Sequence, residues 1–154
     1  LKEVRRASYE WVFTSVEEER NDTLARLEMD SQAYALFAKI CTTDQDMKDF
    51  LKVAGKSPSG NSTSKQLKAM VGKIMEKDKA TFIDIAADPL YDDKVFIADA
   101  RRAGLIKEFR GKYTLDTGEE LGQIRDAIAY LNREENQEVK IRLQAIVDAN
   151  KIVE

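Results

Sequence analysis

Val4, Ser8, Trp11, Val12 and Ser15 recur at helical spacing near the start of the chain, although Tyr9, Trp11 and Phe13 also alternate as in a strand. The longer period predicts a helix. A second helical stretch runs from about Asp22 through Leu24, Leu27, Tyr34, Phe37 and Ile40, with a break expected near Asp30 and Ser31. Thr43 and Asp46 then stand at capping-box spacing, Asp replacing the usual Glu or Gln. Met47, Phe50, Leu51 and Ala54 share one face of the helix that follows, Gly55 falls at the C-cap, and Pro58 lies just beyond.

From Lys56 to Lys65 the chain is Lys-Ser-Pro-Ser-Gly-Asn-Ser-Thr-Ser-Lys, too polar and too rich in turn formers to supply a core. It is expected to be an exposed, flexible linker. Leu67, Met70, Val71 and Ile74 next fall at i, i+3, i+4 and i+7, which predicts an amphipathic helix over 64–77. Thr81 and Asp84 suggest another capping box, with Phe82, Ile85 and Ala86 inward, and Asp88-Pro89 closes that short helix. Asp92 and Asp93 favour the start of a further helix and Gly104 its end. Leu105 to Phe109, Arg110-Gly111 and Lys112 to Leu115 read as strand, tight turn and strand. Towards the end, Ile124, Ala127, Ile128 and Leu131 form one helical stripe, and Val139, Leu143, Ile146 and Val147 another.

The resulting expectation is a mainly α chain: an N-terminal helical segment over 1–55, a linker over 56–63, three helices and a β-hairpin over 64–118, and C-terminal helices over 119–154. Composition agrees, since 43% hydrophobic and 34% charged residues with seven Gly and two Pro in 154 residues suit a helix-rich globular domain. No apolar run reaches the roughly 18 residues that cross a bilayer, and Leu1-Lys2-Glu3-Val4 is not a signal pattern, so no membrane partner and a cytoplasmic or host-cell location are expected. From its Leu start the chain is expected to be a fragment or a trimmed form.

The lone Cys41 sits among Leu36, Phe37 and Ile40, as a small core residue would, and cannot form an internal disulfide. Histidine is absent, which removes the commonest general base and the commonest metal ligand, and with them triad and dyad chemistry. Gly55-Lys56-Ser57 resembles the end of a phosphate-binding loop, but Phe50 stands where that loop needs Gly. Arg5-Arg6-Ala7-Ser8 matches a basic-directed phosphorylation pattern too short to separate from chance. The acidic pairs Glu18-Glu19, Asp92-Asp93 and Glu119-Glu120 point in different directions on a helix and read as solvated charge or caps. No catalytic residue, metal site or cofactor is expected, and the chain is not read as an enzyme.

Charge changes the picture more than composition does. The net charge of −3 hides a central stretch, residues 52–113, with 13 basic and 8 acidic side chains between flanks of 7 and 11 and of 5 and 9. A polyanion-facing surface is therefore expected in the middle of the chain. Asp84-Ile85-Ala86, Ala103-Gly104-Leu105-Ile106 and Gly111-Lys112-Tyr113-Thr114-Leu115 with Gly118 resemble the winged helix-turn-helix superfamily over about a third of the chain. The resemblance implies a third helix able to enter the DNA major groove and a wing able to touch the backbone, on a scaffold that other members use to hold proteins. At 100° per residue, Phe96, Ile97, Ala100 and Ala103 turn inward while Lys94, Ala98, Arg101 and Arg102 turn outward. With Lys107, Arg110, Lys112 and Tyr113 of the wing these form the candidate DNA-binding surface, and Lys56, Lys65, Lys68, Lys73 and Lys77 add charge nearby. Two uses remain open, duplex DNA in a regulatory or accessory role, or a protein partner in an assembly or adaptor role. The short, histidine-free style is that of phage and viral proteins. The C-terminal helices either dimerise or complete the core.

Overall fold

The structure, a computed structural model, describes residues 2–153, and side chains over 16–151. The first helix, α1 (Lys2–Ile40), is followed by α2 (Asp44–Val53), α3 (Ser64–Lys77), α4 (Lys79–Ala86) and α5 (Tyr91–Arg102). Three strands come next, β1 (Ile106–Phe109), β2 (Lys112–Leu115) and β3 (Glu120–Gly122), then α6 (Ile124–Asn132), a 3-10 turn (Glu134–Asn136) and α7 (Gln137–Val153). The fold is mainly α with a three-stranded antiparallel sheet in the order β1-β2-β3.

α1 runs unbroken through Asp30 and Ser31, contrary to the expected break. Asp30 does not turn back to cap the backbone; its carboxylate takes Lys79 of α4 at 2.7 Å, and that ammonium lies 5.8 Å from the Tyr34 ring. The stripe through Val4, Trp11 and Ser15 lies outside the described side chains. Farther along, Ala33 and Ile40 are buried with Leu36 and Phe37 packed beside them, whereas Leu24, Leu27 and Tyr34 stay exposed.

A first core joins these α1 residues to Met47, Phe50 and Leu51 of α2, Leu67, Val71 and Met75 of α3, and Phe82 of α4. The Phe50 and Phe82 rings meet at 5.2 Å, tilted by 56°, a favourable aromatic geometry. Cys41 packs against this core, and burial raises its thiol pKa against the lowering effect of Lys68. Both ends of α2 follow the sequence: Thr43 Oγ1 accepts from the Asp46 N–H at 3.1 Å, and Gly55 takes φ +80. The Lys56 N–H reaches the Leu51 carbonyl at 2.8 Å and the Gly55 N–H the Lys52 carbonyl at 3.1 Å, a Schellman ending. Pro58 is buried, and Thr63 and Gln66 make a reciprocal capping box for α3. The cap of α4 is Asp78 instead of Thr81, because its carboxylate reaches the Thr81 N–H at 3.2 Å and hydroxyl at 2.7 Å.

A second core gathers Ile97 and Ala100 of α5, Leu105, the strand residues Ile106, Leu115 and Leu121, Ala127, Ile128 and Leu131 of α6, and Leu143 and Val147 of α7. The hairpin of the sequence reading is thus one strand short. Gly118 at φ +93 turns the chain so that Leu121 can enter the core, a role no run of three residues signals in sequence. α5 packs mainly on α2, α6, α7 and β1, while α3 and α4 pack with α1 and α2, so the stretch 64–118 is shared between the two cores. The stripe of α6 completes the second core with Val139, Leu143 and Val147 of α7, whereas Ile146, expected on the same stripe, is exposed, as is Ile141.

Candidate nucleic-acid interface

α5 is held at both ends. Its Asp92 and Asp93 carboxylates favour the positive end of the helix dipole. Just before it, Asp88 accepts the Leu90 N–H at 2.8 Å and binds the Lys94 ammonium. These hydrogen bonds, that of Lys94 foremost, hold the Asp88 carboxyl below the usual carboxylate range. At the other end Gly104 takes φ +78, with its N–H on Arg101 O at 3.0 Å and the Leu105 N–H on Ala100 O at 2.9 Å. This second Schellman turn aims β1 back along α5.

The hairpin is registered by Lys107 opposite Thr114, Glu108 opposite Tyr113 and Phe109 opposite Lys112. Arg110 and Gly111 both have positive φ, 52° and 79°, the requirement of a two-residue I′ turn. Glu108 ties this turn to the helix, accepting the Gly111 N–H at 2.7 Å and meeting Arg101 Nη2 at 3.3 Å. The Arg101 guanidinium also lies 5.9 Å from the centroid of the half-buried Tyr113 ring.

Ala98, Arg101, Arg102 and Lys107 converge on one groove of about 660 Å³, completed by Lys52, the loop from Gly55 to Pro58 with Lys56, Ile106, and the Glu108 carboxylate that meets Arg101. Arg110 and Lys112 lie at the hairpin tip, where the Arg110 guanidinium stands 5.1 Å from the ring of Phe109, itself 73% exposed. Lys94 stands apart from the groove, bound to Asp88. Four of the eight candidate residues therefore line the groove directly, Tyr113 supports one of them, and two sit at the hairpin tip.

Lys52 and Lys151 were not visible as site residues in the sequence. Lys52 Nζ lies 2.8 Å from Asp99 Oδ1 and Lys151 Nζ 3.2 Å from Asp99 Oδ2, with Asp99 only 6% exposed. Burial works against the Lys151 ammonium, and the hydrogen bond and charge of Asp99 outweigh it, leaving its pKa above the ordinary value. One signal existed: on the 100° wheel Asp99 falls about 40° from Ala103, at the edge of the buried face. Among the described residues no group of three or more His, Cys, Asp or Glu side chains is placed to hold a metal ion, and no helix is long and apolar enough to cross a membrane.

No protein-family model, curated protein or solved structure matches the chain.

Proposed function

We propose that this chain binds duplex DNA as a winged-helix protein, α5 and β1 flanking the backbone and the β1–β2 hairpin serving as the wing, in a regulatory role or one accessory to DNA processing. The convergence of Arg101, Arg102, Lys107 and Lys56 on one groove beside the small Ala98 carries the reading. Cations so placed neutralise successive phosphates and release their counterions, while a small side chain admits the backbone closely. Arg110, Lys112 and the exposed Phe109 extend the contact from the wing.

The testing experiment is a mobility shift with a short duplex, comparing the native chain, Arg101→Glu with Lys107→Glu, and Arg133→Glu as a remote exposed control. Loss of the shift in the groove variant alone is expected. Equal binding by all three would contradict the reading.

A protein-binding role has one observation in its favour. Met70, Ile74 and Ile85 floor a groove of about 610 Å³ between α3 and α4, rimmed by Lys56, Lys73 and Lys77. Its chemistry fits an acidic amphipathic helix. That reading expects a stable complex with such a peptide, lost in Lys73→Glu with Lys77→Glu, and no shift with DNA.

A further inference from the structure

From Val16 to Met29 every residue of α1 is exposed, and the packing of this helix on the first core begins at Ala33, just after the Asp30–Lys79 pair. Helix without tertiary packing is only marginally stable in water. The side chains of this stretch are nonetheless patterned. At 100° per residue Val16, Leu24 and Leu27, which are 42%, 57% and 55% exposed, fall within about 80° of one another. Glu17 and Glu28 run along one edge of that stripe and Glu19 along the other. Ala33 and Ile40, which the core buries, lie about 100° or more away on the same wheel, so the stripe is a second apolar face of α1. Residues 16–29 carry five carboxylates against Arg20 and Arg26.

The groove between α3 and α4 has the complementary character. Met70, Ile74 and Ile85 form its floor, and the exposed Lys56, Lys73 and Lys77 its rim. Asp78 is the one carboxylate in its lining, and it is held by the Thr81 N–H and hydroxyl. Glu76 and Asp84 are the other carboxylates of α3 and α4, and neither lines the groove. Over 64–86 five lysines stand against three carboxylates, Lys79 being taken by Asp30. Charge therefore selects the partner. Two α1 stripes laid together would set acidic edges against each other, whereas the groove meets the same edges with lysines. Because α1 is unbroken through this stretch, these residues stay off the groove of their own chain.

We propose that the acidic amphipathic stretch of α1, residues 16–29, docks in the α3–α4 groove of a second copy of this chain, with Leu24 and Leu27 on its floor and Glu17 and Glu28 towards its lysine rim. The inference rests on the reading of that groove as a helix-docking site and names its occupant. It is independent of the DNA reading, since the two grooves share only Lys56. Reciprocal exchange of α1 closes a dimer, and one-way docking continues as a series.

The test is sedimentation velocity of the intact chain over a concentration series, in low and in moderate salt. Association that grows with concentration and weakens with salt is expected. Lys73→Glu with Lys77→Glu should weaken it at least tenfold, and so should Glu17→Lys with Glu28→Lys and, separately, Leu24→Ser with Leu27→Ser. All six positions are exposed and outside both cores, so these replacements leave the fold in place, which circular dichroism checks. Mixing the two charge-reversed chains should restore a complex, because a basic helix then meets an acidic groove; damage to the fold would not be repaired in this way. A chain that is monomeric at every concentration would overturn the proposal. So would association that survives Lys73→Glu with Lys77→Glu and is lost in Leu24→Ser with Leu27→Ser, which is the pattern of α1 pairing with α1. If the monomeric chain still binds an acidic amphipathic peptide through Lys73 and Lys77, the groove reading stands and the second copy as its occupant falls.

Discussion

Lys52 of α2 and Asp99 of α5 form an ion pair at 2.8 Å with 9% and 6% of their side chains exposed. It is the polar link between the helix that anchors the first core and the helix that anchors the second. Lys151 of α7 completes it from the far side. Removing one member strands an opposite charge out of water, which costs more than the pair itself contributes.

Asp99→Asn is therefore expected to lower stability by about 3 kcal/mol, because two ammonium groups lose their counter-charge at once. Lys52→Met should cost less, since Lys151 remains to share Asp99, and the double variant Lys52→Met with Asp99→Asn should cost less than the two single effects together. Denaturant unfolding of all three measures the coupling. Strict additivity of the two single effects would mean that the pair does not join the helices energetically.

Carboxyl titration gives a second check. Burial raises Asp49, with the Gln45 hydrogen bond and Lys52 opposing, while hydrogen bonds lower Asp88, chiefly from Lys94, and Asp116, chiefly from Arg142. As pH falls, Asp49 should protonate first, above the usual aspartate range, and Asp88 and Asp116 last, below it. A lowered carboxyl contributes stability above its unfolded pKa and loses it as pH falls through the folded one. Lys94→Met should consequently cost stability at pH 7 and nothing in strong acid, with the Asp88 carboxyl moving up towards its ordinary range, still held below it by the Leu90 N–H. Carbon-detected NMR of the carboxyl groups follows each residue; an Asp88 titration unmoved by Lys94→Met would contradict the assignment.

Gly104 is needed for its backbone and not for space. No atom lies within 4 Å of a Cβ built there, yet its φ is +78, a region that L side chains enter at a cost of about 1 kcal/mol or more. Gly104→Ala should lower the melting temperature by about 3 °C, and Gly60→Ala, also in open space and without positive φ, should leave it unchanged. Equal melting of the two variants would show that the turn does not constrain α5 and β1.

Local chemistry was readable wherever it decided the structure locally. Thr43 and Gly55 mark the ends of α2, the stripe from Leu67 to Ile74 marks α3, and Arg110-Gly111 marks the hairpin turn. What escaped depends on partners far along the chain. Asp30 looks like a helix breaker until Lys79, 49 residues on, takes its carboxylate. Lys52 and Asp99, 47 residues apart, each look like ordinary surface charge. Thr81 stands at capping-box spacing in the sequence, and the chain path at the end of α3 makes Asp78 the cap instead. The same limit applies to the interface: the helical wheel turned Arg101 and Arg102 outward, but not towards Lys52 and Lys56.

The salt dependence of duplex binding tests the groove most directly. Besides Lys52, which Asp99 holds, four cations line it, Lys56, Arg101, Arg102 and Lys107, and each neutralised phosphate contributes about −0.9 to the slope of log K against log salt. Fluorescence anisotropy with a labelled duplex across a potassium chloride series should give a slope of about −4 for the native chain. Arg101→Glu with Lys107→Glu should reduce its magnitude by about 2 and weaken binding at every salt concentration. A flat response to salt, or an identical slope for the two proteins, would contradict a phosphate-binding groove.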